Sequence, residues 1–152
     1  MINTVDHINI VVSDLERSLS FYTKVLGFKE VRRAYLEGEW VESIVGLEGV
    51  RAHVAYVIAP AGGPRLELLC YGSPTGDKFP GNSRPNTLGL RHLALQVDDI
   101  DAAVRRLKGA NAELISEPVV VPADVITHRE GHKVLCYFLD PDGVLLELTE
   151  YR

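Results

Sequence analysis

Two histidines and two glutamates occupy matching places in the two halves of this 152-residue chain. His7 and His92 each open a run of alternating apolar residues, and Glu67 and Glu147 each stand between two leucines. Successive side chains of a strand point to opposite faces, so all four lie opposite the apolar face of their own strand. Taken singly, each is more often an ordinary polar strand residue. Two imidazoles together with two carboxylates are what a divalent metal accepts, with coordination positions left for substrate.

The matching places follow from an internal repeat. The segment "DHINIVVSDLERSLSFY" (6–22) aligns with "RHLALQVDDIDAAVRRL" (91–107). The segment "AYVIAPAGGPRLELLCY" (55–71) aligns with "CYFLDPDGVLLELTEY" (136–151), with a one-residue difference in the turn. Repetition of this kind indicates two copies of one supersecondary unit. Each copy therefore carries one of the histidines and one of the glutamates.

Each half is predicted to contain a strand, a helix and three further strands. The helices have a capping side chain at the start and a glycine at the end. These are Ser13 or Asp14 with Gly27, and Asp98 or Asp99 with Gly109. Turns rich in Pro and Gly join the last two strands of each half. The strands are predicted near 5–12, 28–36, 51–59, 65–71, 90–97, 112–121, 133–140 and 144–150.

The predicted fold class is accordingly α+β, with two tandem βαβββ modules. The first module spans 1–71 and the second spans 90–152. Residues 72–89 between them are rich in Gly, Pro, Ser and Asn and are predicted to be a linker. We expect the two modules to form one compact domain.

Composition narrows the classes of function. The formal net charge is −5 and 46% of the residues are hydrophobic. A nucleic-acid or anionic-membrane surface needs a clustered basic patch, so neither partner is expected. No apolar run is long enough to span a bilayer, and a cytoplasmic protein is expected. The two cysteines, Cys70 and Cys136, lie in apolar runs and are predicted to be buried thiols.

The repeated segments, together with "YFLDPDGVLLEL", resemble the vicinal oxygen chelate superfamily over nearly the whole chain. That superfamily includes glyoxalase I, methylmalonyl-CoA epimerase, extradiol dioxygenases, and fosfomycin and bleomycin resistance proteins. The resemblance implies that the modules form an incomplete barrel with helices outside and a divalent metal within. It implies that His7, Glu67, His92 and Glu147 are the metal ligands. Zn, Ni, Co, Mn and Fe are not distinguished.

The ligand set favours a lyase or isomerase of the glyoxalase I or epimerase type. Such an enzyme moves a proton through a metal-stabilised enediolate or enolate. Glu147 or Glu67 would carry the proton by loosening from the metal. The resemblance to the epimerase implies a second acid–base group between the second and third strands, where Glu39 and Glu42 lie, and Glu42 is the candidate. Solvated turn charges are the simpler interpretation of both. The epimerases commonly have Gln where Glu67 stands, which is a departure from that branch.

Two other functions stay open at this point. One is an Fe(II) ring-cleaving dioxygenase, which typically uses two His and one Glu. The other is a drug-binding resistance protein without catalysis. The expected partner is a small molecule with vicinal oxygens, and open sheet edges lead us to expect a homodimer.

Three further polar residues lie together before the seventh predicted strand, namely His128, Arg129 and His132. They suit either an anion-binding loop at the mouth of a site or an ordinary solvated loop. His53 has no counterpart in the repeat and is given no role.

Overall fold

A computed structural model describes residues 1–78, 80–81, 83–122, 124 and 131–152. The chain divides into two compact units, residues 1–78 (unit 1) and 79–152 (unit 2). Each unit is built on one four-stranded mixed sheet. The α+β class and the two tandem βαβββ-like modules are therefore confirmed. None of the helices in the described residues is long and apolar enough to cross a membrane.

Unit 1 begins with strand β1 (His7–Val11) and helix α1 (Leu15–Ser20), which continues as a π-helix over Phe21–Val25. The remaining elements are β2 (Lys29–Glu37), α2 (Glu39–Val45), β3 (Arg51–Ile58) and β4 (Arg65–Ser73). The strand order is β1-β4-β3-β2. The first strand is parallel to the last, and the other pairs are antiparallel.

Unit 2 repeats this plan. It contains β5 (His92–Gln96), α3 (Ile100–Gly109), β6 (Val119–Val120), β7 (Lys133–Leu139) and β8 (Leu145–Tyr151). The strand order is β5-β8-β7-β6, again with the first strand parallel to the last. The parallel pairing places a residue of the first strand directly beside the glutamate of the last strand in both units.

Local signals explain how each helix begins. The carboxylate of Asp14 accepts a hydrogen bond from the Arg17 backbone N–H at 2.9 Å, and Asp99 accepts one from Ala102 at 2.8 Å. These contacts satisfy donors that have no partner inside a helix. Of the two alternatives predicted for each cap, the structure therefore selects Asp14 and Asp99.

The apolar face of each sheet is packed against its helix. In unit 2, Ile100, Val104 and Leu107 of α3 are buried, as are Leu146 and Leu148 of β8. In unit 1, Leu19, Tyr22, Leu66 and Leu68 are buried in the same way. Glu67 and Glu147 alternate with these leucines and consequently lie on the other face of their sheets.

The structure differs from the predicted elements in three places. Residues 39–45 form helix α2, which the sequence analysis did not predict. The strand predicted at 112–121 is reduced to β6 and an isolated bridge from Leu114 to Phe138, because Pro118 interrupts the ladder. Gly109 ends α3 as predicted, but the left-handed residue after it is Asn111, with φ 56°.

The prediction of two buried thiols is half correct. Cys136 is fully buried, whereas Cys70 is only partly buried. Its position toward the end of β4 leaves the Cys70 Sγ 3.7 Å from the backbone carbonyl of Ser13, outside the densest part of the core.

The first turn of α3 is tied to the last strand by Glu150. Its Oε2 accepts a hydrogen bond from the Ile100 backbone N–H at 2.8 Å, and its Oε1 lies 2.7 Å from Arg152 Nε. The Arg152 guanidinium, followed by the Ile100 N–H, lowers the pKa of the Glu150 carboxyl. A lowered pKa means that folding favours the ionised form, so this stabilisation is present at neutral pH and is lost as the pH falls through the folded-state pKa.

We expect Glu150→Gln to lower the midpoint of thermal unfolding at neutral pH, because the neutral amide loses the ion pair with Arg152. The difference from the wild-type midpoint should shrink to nothing in strongly acidic buffer. Glu117→Gln is the control, since Glu117 forms an exposed ion pair with Lys108 and should have little effect. A difference between Glu150→Gln and wild type that is the same at every pH would contradict this account.

Candidate metal centre

In unit 1 the structure brings His7 and Glu67 together. The β1–β4 register sets Asn9 directly beside Glu67, with His7 two residues away on the same face. The Nε2 atom of His7 lies 3.5 Å from Oε2 of Glu67. The side-chain amide of Asn9 donates a hydrogen bond to the same oxygen at 2.8 Å.

The imidazole of His7 is oriented from behind by a carboxylate. Asp6 Oδ2 lies 2.8 Å from His7 Nδ1 and also binds the Arg65 guanidinium. The hydrogen bond with His7, followed by the one with Arg65, lowers the pKa of Asp6. In the tautomer with its proton on Nδ1, His7 donates a hydrogen bond to Asp6 and its unprotonated Nε2 faces Glu67. This is the arrangement that orients histidine ligands in metal sites.

Tyr56 is the third member of the cluster in unit 1. It is paired with Glu67 across the β3–β4 ladder, and its hydroxyl donates to Glu67 Oε1. Burial and then the hydrogen bond to Glu67 raise the pKa of Tyr56 to about 12. Its ring makes an edge contact with His7 at 5.9 Å between centroids. Glu67 therefore has two neutral donors, Tyr56 and Asn9.

Unit 2 contains the same three residue types in the same places. His92 Nε2 lies 3.4 Å from Glu147 Oε2, and Tyr137 is paired with Glu147 across the β7–β8 ladder. The rings of His92 and Tyr137 are 5.1 Å apart. Burial, then the charge of Glu147 and a hydrogen bond to it, raises the pKa of Tyr137. The internal repeat thus extends to a His–Tyr–Glu cluster in each unit.

The surroundings of Glu147 differ from those of Glu67 by direct contact with a cation. Lys133 Nζ lies 2.9 Å from Glu147 Oε1, and the Glu147 side chain is only 4% exposed. Oε1 is buried without a hydrogen-bond partner, so its contact with Lys133 is an ion pair. The Glu67 side chain, with its two neutral donors, is 14% exposed.

The donor atoms suit a divalent metal. Two atoms each about 2.0–2.1 Å from one tetrahedral ion are about 3.4 Å apart. The two His–Glu distances, 3.5 Å in unit 1 and 3.4 Å in unit 2, match this separation. Within the described residues no group of three or more His, Cys, Asp or Glu side chains that could hold a metal is present. Each unit thus brings together one imidazole and one carboxylate, half of the predicted four-ligand set.

Glu42 lies in a different setting from the four predicted ligands. It is in α2, where its carboxylate accepts a hydrogen bond from the Val50 backbone N–H at 3.2 Å. This contact ties α2 to the start of β3. Glu39, the first residue of α2, is exposed.

His53 and His132 have partners outside the His–Tyr–Glu clusters. The ring of His53 contacts that of Tyr35 at a tilted angle, with ring centroids 4.8 Å apart. It also lines an open cavity of about 390 Å³ whose walls include Arg33 and Cys70 but neither His7 nor Glu67. His132 pairs through its backbone with Arg152. His128 and Arg129 lie outside the described residues.

The sequence analysis did not single out the two tyrosines or Lys133. Tyr56 and Tyr137 are the second residues of the two aligned segments 55–71 and 136–151, so the repeat itself contained the signal. Lys133 has no such signal, because its counterpart in unit 1 is Ala52. Only the strand register places Lys133 near Glu147.

Comparison with known proteins shows the family of the chain. Residues 4–148 match the Glyoxalase/Bleomycin resistance protein/Dioxygenase superfamily, and the chain belongs to that superfamily. The uncharacterised Escherichia coli protein YaeR is 36% identical over 96% of this chain and 95% of its own. Human mitochondrial methylmalonyl-CoA epimerase is 32% identical over 95% of this chain and 72% of its own. A glyoxalase family protein from Bacillus cereus has a similar crystal structure, with a TM-score of 0.83 and 30% identity over 99% of this chain and 95% of that one.

We expect Tyr56→Phe to lower the free energy of unfolding by about 1–2 kcal/mol, because Glu67 Oε1 loses a donor while the ring contacts remain. Urea denaturation of the metal-free protein measures this loss. Tyr35→Phe is the matched control, since Tyr35 is exposed and contacts His53 through its ring. Equal losses for the two variants would contradict the hydrogen bond to Glu67.

Proposed function

We propose that His7, Glu67, His92 and Glu147 together bind one divalent metal ion. The observation that supports this proposal is the equivalence of the two His–Glu pairs, each with donor atoms about one ligand–ligand separation apart. The low exposure of the two carboxylate side chains, 14% at Glu67 and 4% at Glu147, supports it further, because charges drawn out of water are usually paired or bound to a metal. The membership of the superfamily is consistent with such a site.

We further propose that the protein is a lyase or isomerase that moves a proton next to a carbonyl group. A bound metal would supply Lewis-acid polarisation of the vicinal oxygens of a small substrate. Glu147 or Glu67 takes the proton from the adjacent carbon and returns it. Similarity to the human epimerase over most of both chains supports this class of reaction over oxygen activation or simple drug binding.

The residues around the carboxylates have defined tasks in this proposal. Asp6 accepts a hydrogen bond from the Nδ1–H group of His7, which leaves Nε2 available to bind the metal. Tyr56 and Tyr137 are protonated at neutral pH, and burial and the neighbouring glutamates raise their pKa values further. Each tyrosine fixes the rotamer of the glutamate across the ladder from it. Glu42 is retained as a candidate second acid–base group, and releasing it would cost its hydrogen bond with the Val50 N–H.

We expect Glu147→Gln to reduce metal-dependent proton exchange by about a hundredfold or more, the usual contribution of a positioned acid–base group. The measurement is deuterium incorporation from D₂O into an α-hydroxycarbonyl compound or an acyl thioester, followed by NMR with the metal-loaded protein. Glu117→Gln is the matched control, because Glu117 is exposed and lies outside both His–Tyr–Glu clusters.

Three outcomes would overturn the proposed reaction. Exchange that persists unchanged in Glu147→Gln would exclude a role for that carboxylate. Oxygen uptake with a catechol-like substrate, seen only after loading with Fe(II), would identify a dioxygenase instead. Tight binding of a drug without turnover and without sensitivity to a chelator would identify a resistance protein.

A further inference from the structure

The ion pair between Lys133 and Glu147 is the main chemical difference between the two His–Tyr–Glu clusters. Lys133 is the first residue of β7, and its side chain is 21% exposed. Its ammonium group reaches Glu147 Oε1 at 2.9 Å, an oxygen that is buried and has no hydrogen-bond partner. The positive charge of Lys133 therefore compensates the negative charge on this buried oxygen.

Alignment of the repeats shows that the glutamate carboxylates of the two units have different partners. In unit 1, Asn9 is paired with Glu67 and donates to it, and Ala52 occupies the place equivalent to Lys133. In unit 2, Ala94 takes the place of Asn9, and a lysine stands where Ala52 would be. An amide donor on one side of the glutamate has thus been exchanged for an ammonium group on the other side.

This exchange has a consequence for cation binding. An amide or a phenol that donates to a carboxylate does not repel a metal ion bound to the other lone pairs. An ammonium group in contact with the same carboxylate does repel it, since two like charges a few ångströms apart in a poorly solvated site interact strongly. The carboxylate of Glu147 in unit 2 is therefore already in contact with a cation, the ammonium group of Lys133. The carboxylate of Glu67 in unit 1 accepts hydrogen bonds from neutral groups instead.

We propose that Lys133 is a built-in counter-cation of Glu147, which a divalent metal must displace in order to bind. This proposal rests on the proposed function, because it takes Glu147 as a metal ligand. In the metal-free protein Lys133 balances the buried carboxylate, whose isolation would be costly. When metal binds, the lysine withdraws along its flexible, partly exposed stem. Lys133 thereby stabilises the metal-free state and lowers the affinity for metal.

The test uses Mn(II) as the probe and the full chain in metal-free form. Lys133→Met keeps most of the stem and removes the charge, and calorimetric titration gives the dissociation constant. We expect Lys133→Met to bind Mn(II) roughly tenfold more tightly than wild type, or better. Lys108→Met removes the same charge from an exposed ion pair with Glu117 and should bind as wild type does. Lys133→Gln, which retains a hydrogen-bond donor, is the second neutral variant and should also bind more tightly.

A second readout needs no metal. Without metal, Lys133→Met should melt at a lower temperature than wild type. Adding Glu147→Gln to it should recover part of that loss, because no uncompensated charge then remains buried. Equal melting of Lys133→Met and Lys108→Met would contradict the role of Lys133 as a counter-cation.

The outcomes separate this proposal from the proposed function. If wild type and Lys133→Met bind Mn(II) equally, and His92→Gln abolishes binding, the metal site stands and the displacement of Lys133 is wrong. Weaker binding of Mn(II) by both Lys133→Met and Lys133→Gln than by wild type would also contradict the proposal that the metal displaces Lys133. If neither wild type nor any variant binds Mn(II), the proposed metal site is wrong for this ion. The proposed displacement of Lys133 is then wrong as well.

Discussion

A carboxylate buried on the face of a β-sheet is the constraint on which the candidate site depends. Glu67 and Glu147 alternate with core leucines, so neither can leave its face without breaking the packing of the helix against the sheet. Each negative charge must consequently be met by neighbours on the same face. The parallel pairing of the first and last strands supplies a histidine, and the antiparallel neighbour supplies a tyrosine. The cluster is thus a result of strand topology and not of any local sequence motif.

Duplication gives two such clusters, and the negative charge of the glutamate is compensated differently in the two units. Unit 1 uses neutral donors to Glu67 and a carboxylate, Asp6, behind its histidine. Unit 2 has Arg91 at the position of Asp6 and uses the ammonium group of Lys133 to balance Glu147. These differences make the two His–Tyr–Glu clusters chemically unequal.

Much of this was predictable because strand alternation and repetition are both visible in the sequence. The period of two in "HINIV" and "LEL" assigns His7 and Glu67 to a face, and the repeat assigns His92 and Glu147 to the equivalent face. Contacts across the ladders were not predictable, because register decides which residues meet. Tyr56 meets Glu67 although eleven residues separate them, and Lys133 meets Glu147 through β7. Helix α2 was missed because it is two turns long and contributes only Val41 to the core.

We propose that His7, Glu67, His92 and Glu147 bind a single metal ion, and metal stoichiometry tests this proposal most directly. Protein purified without an affinity tag is loaded with Mn(II), dialysed and assayed for bound metal, alongside His7→Gln and His92→Gln. The account predicts one metal per chain in the wild type and loss of that metal in both variants. Metal retained in full by either variant would contradict a shared site.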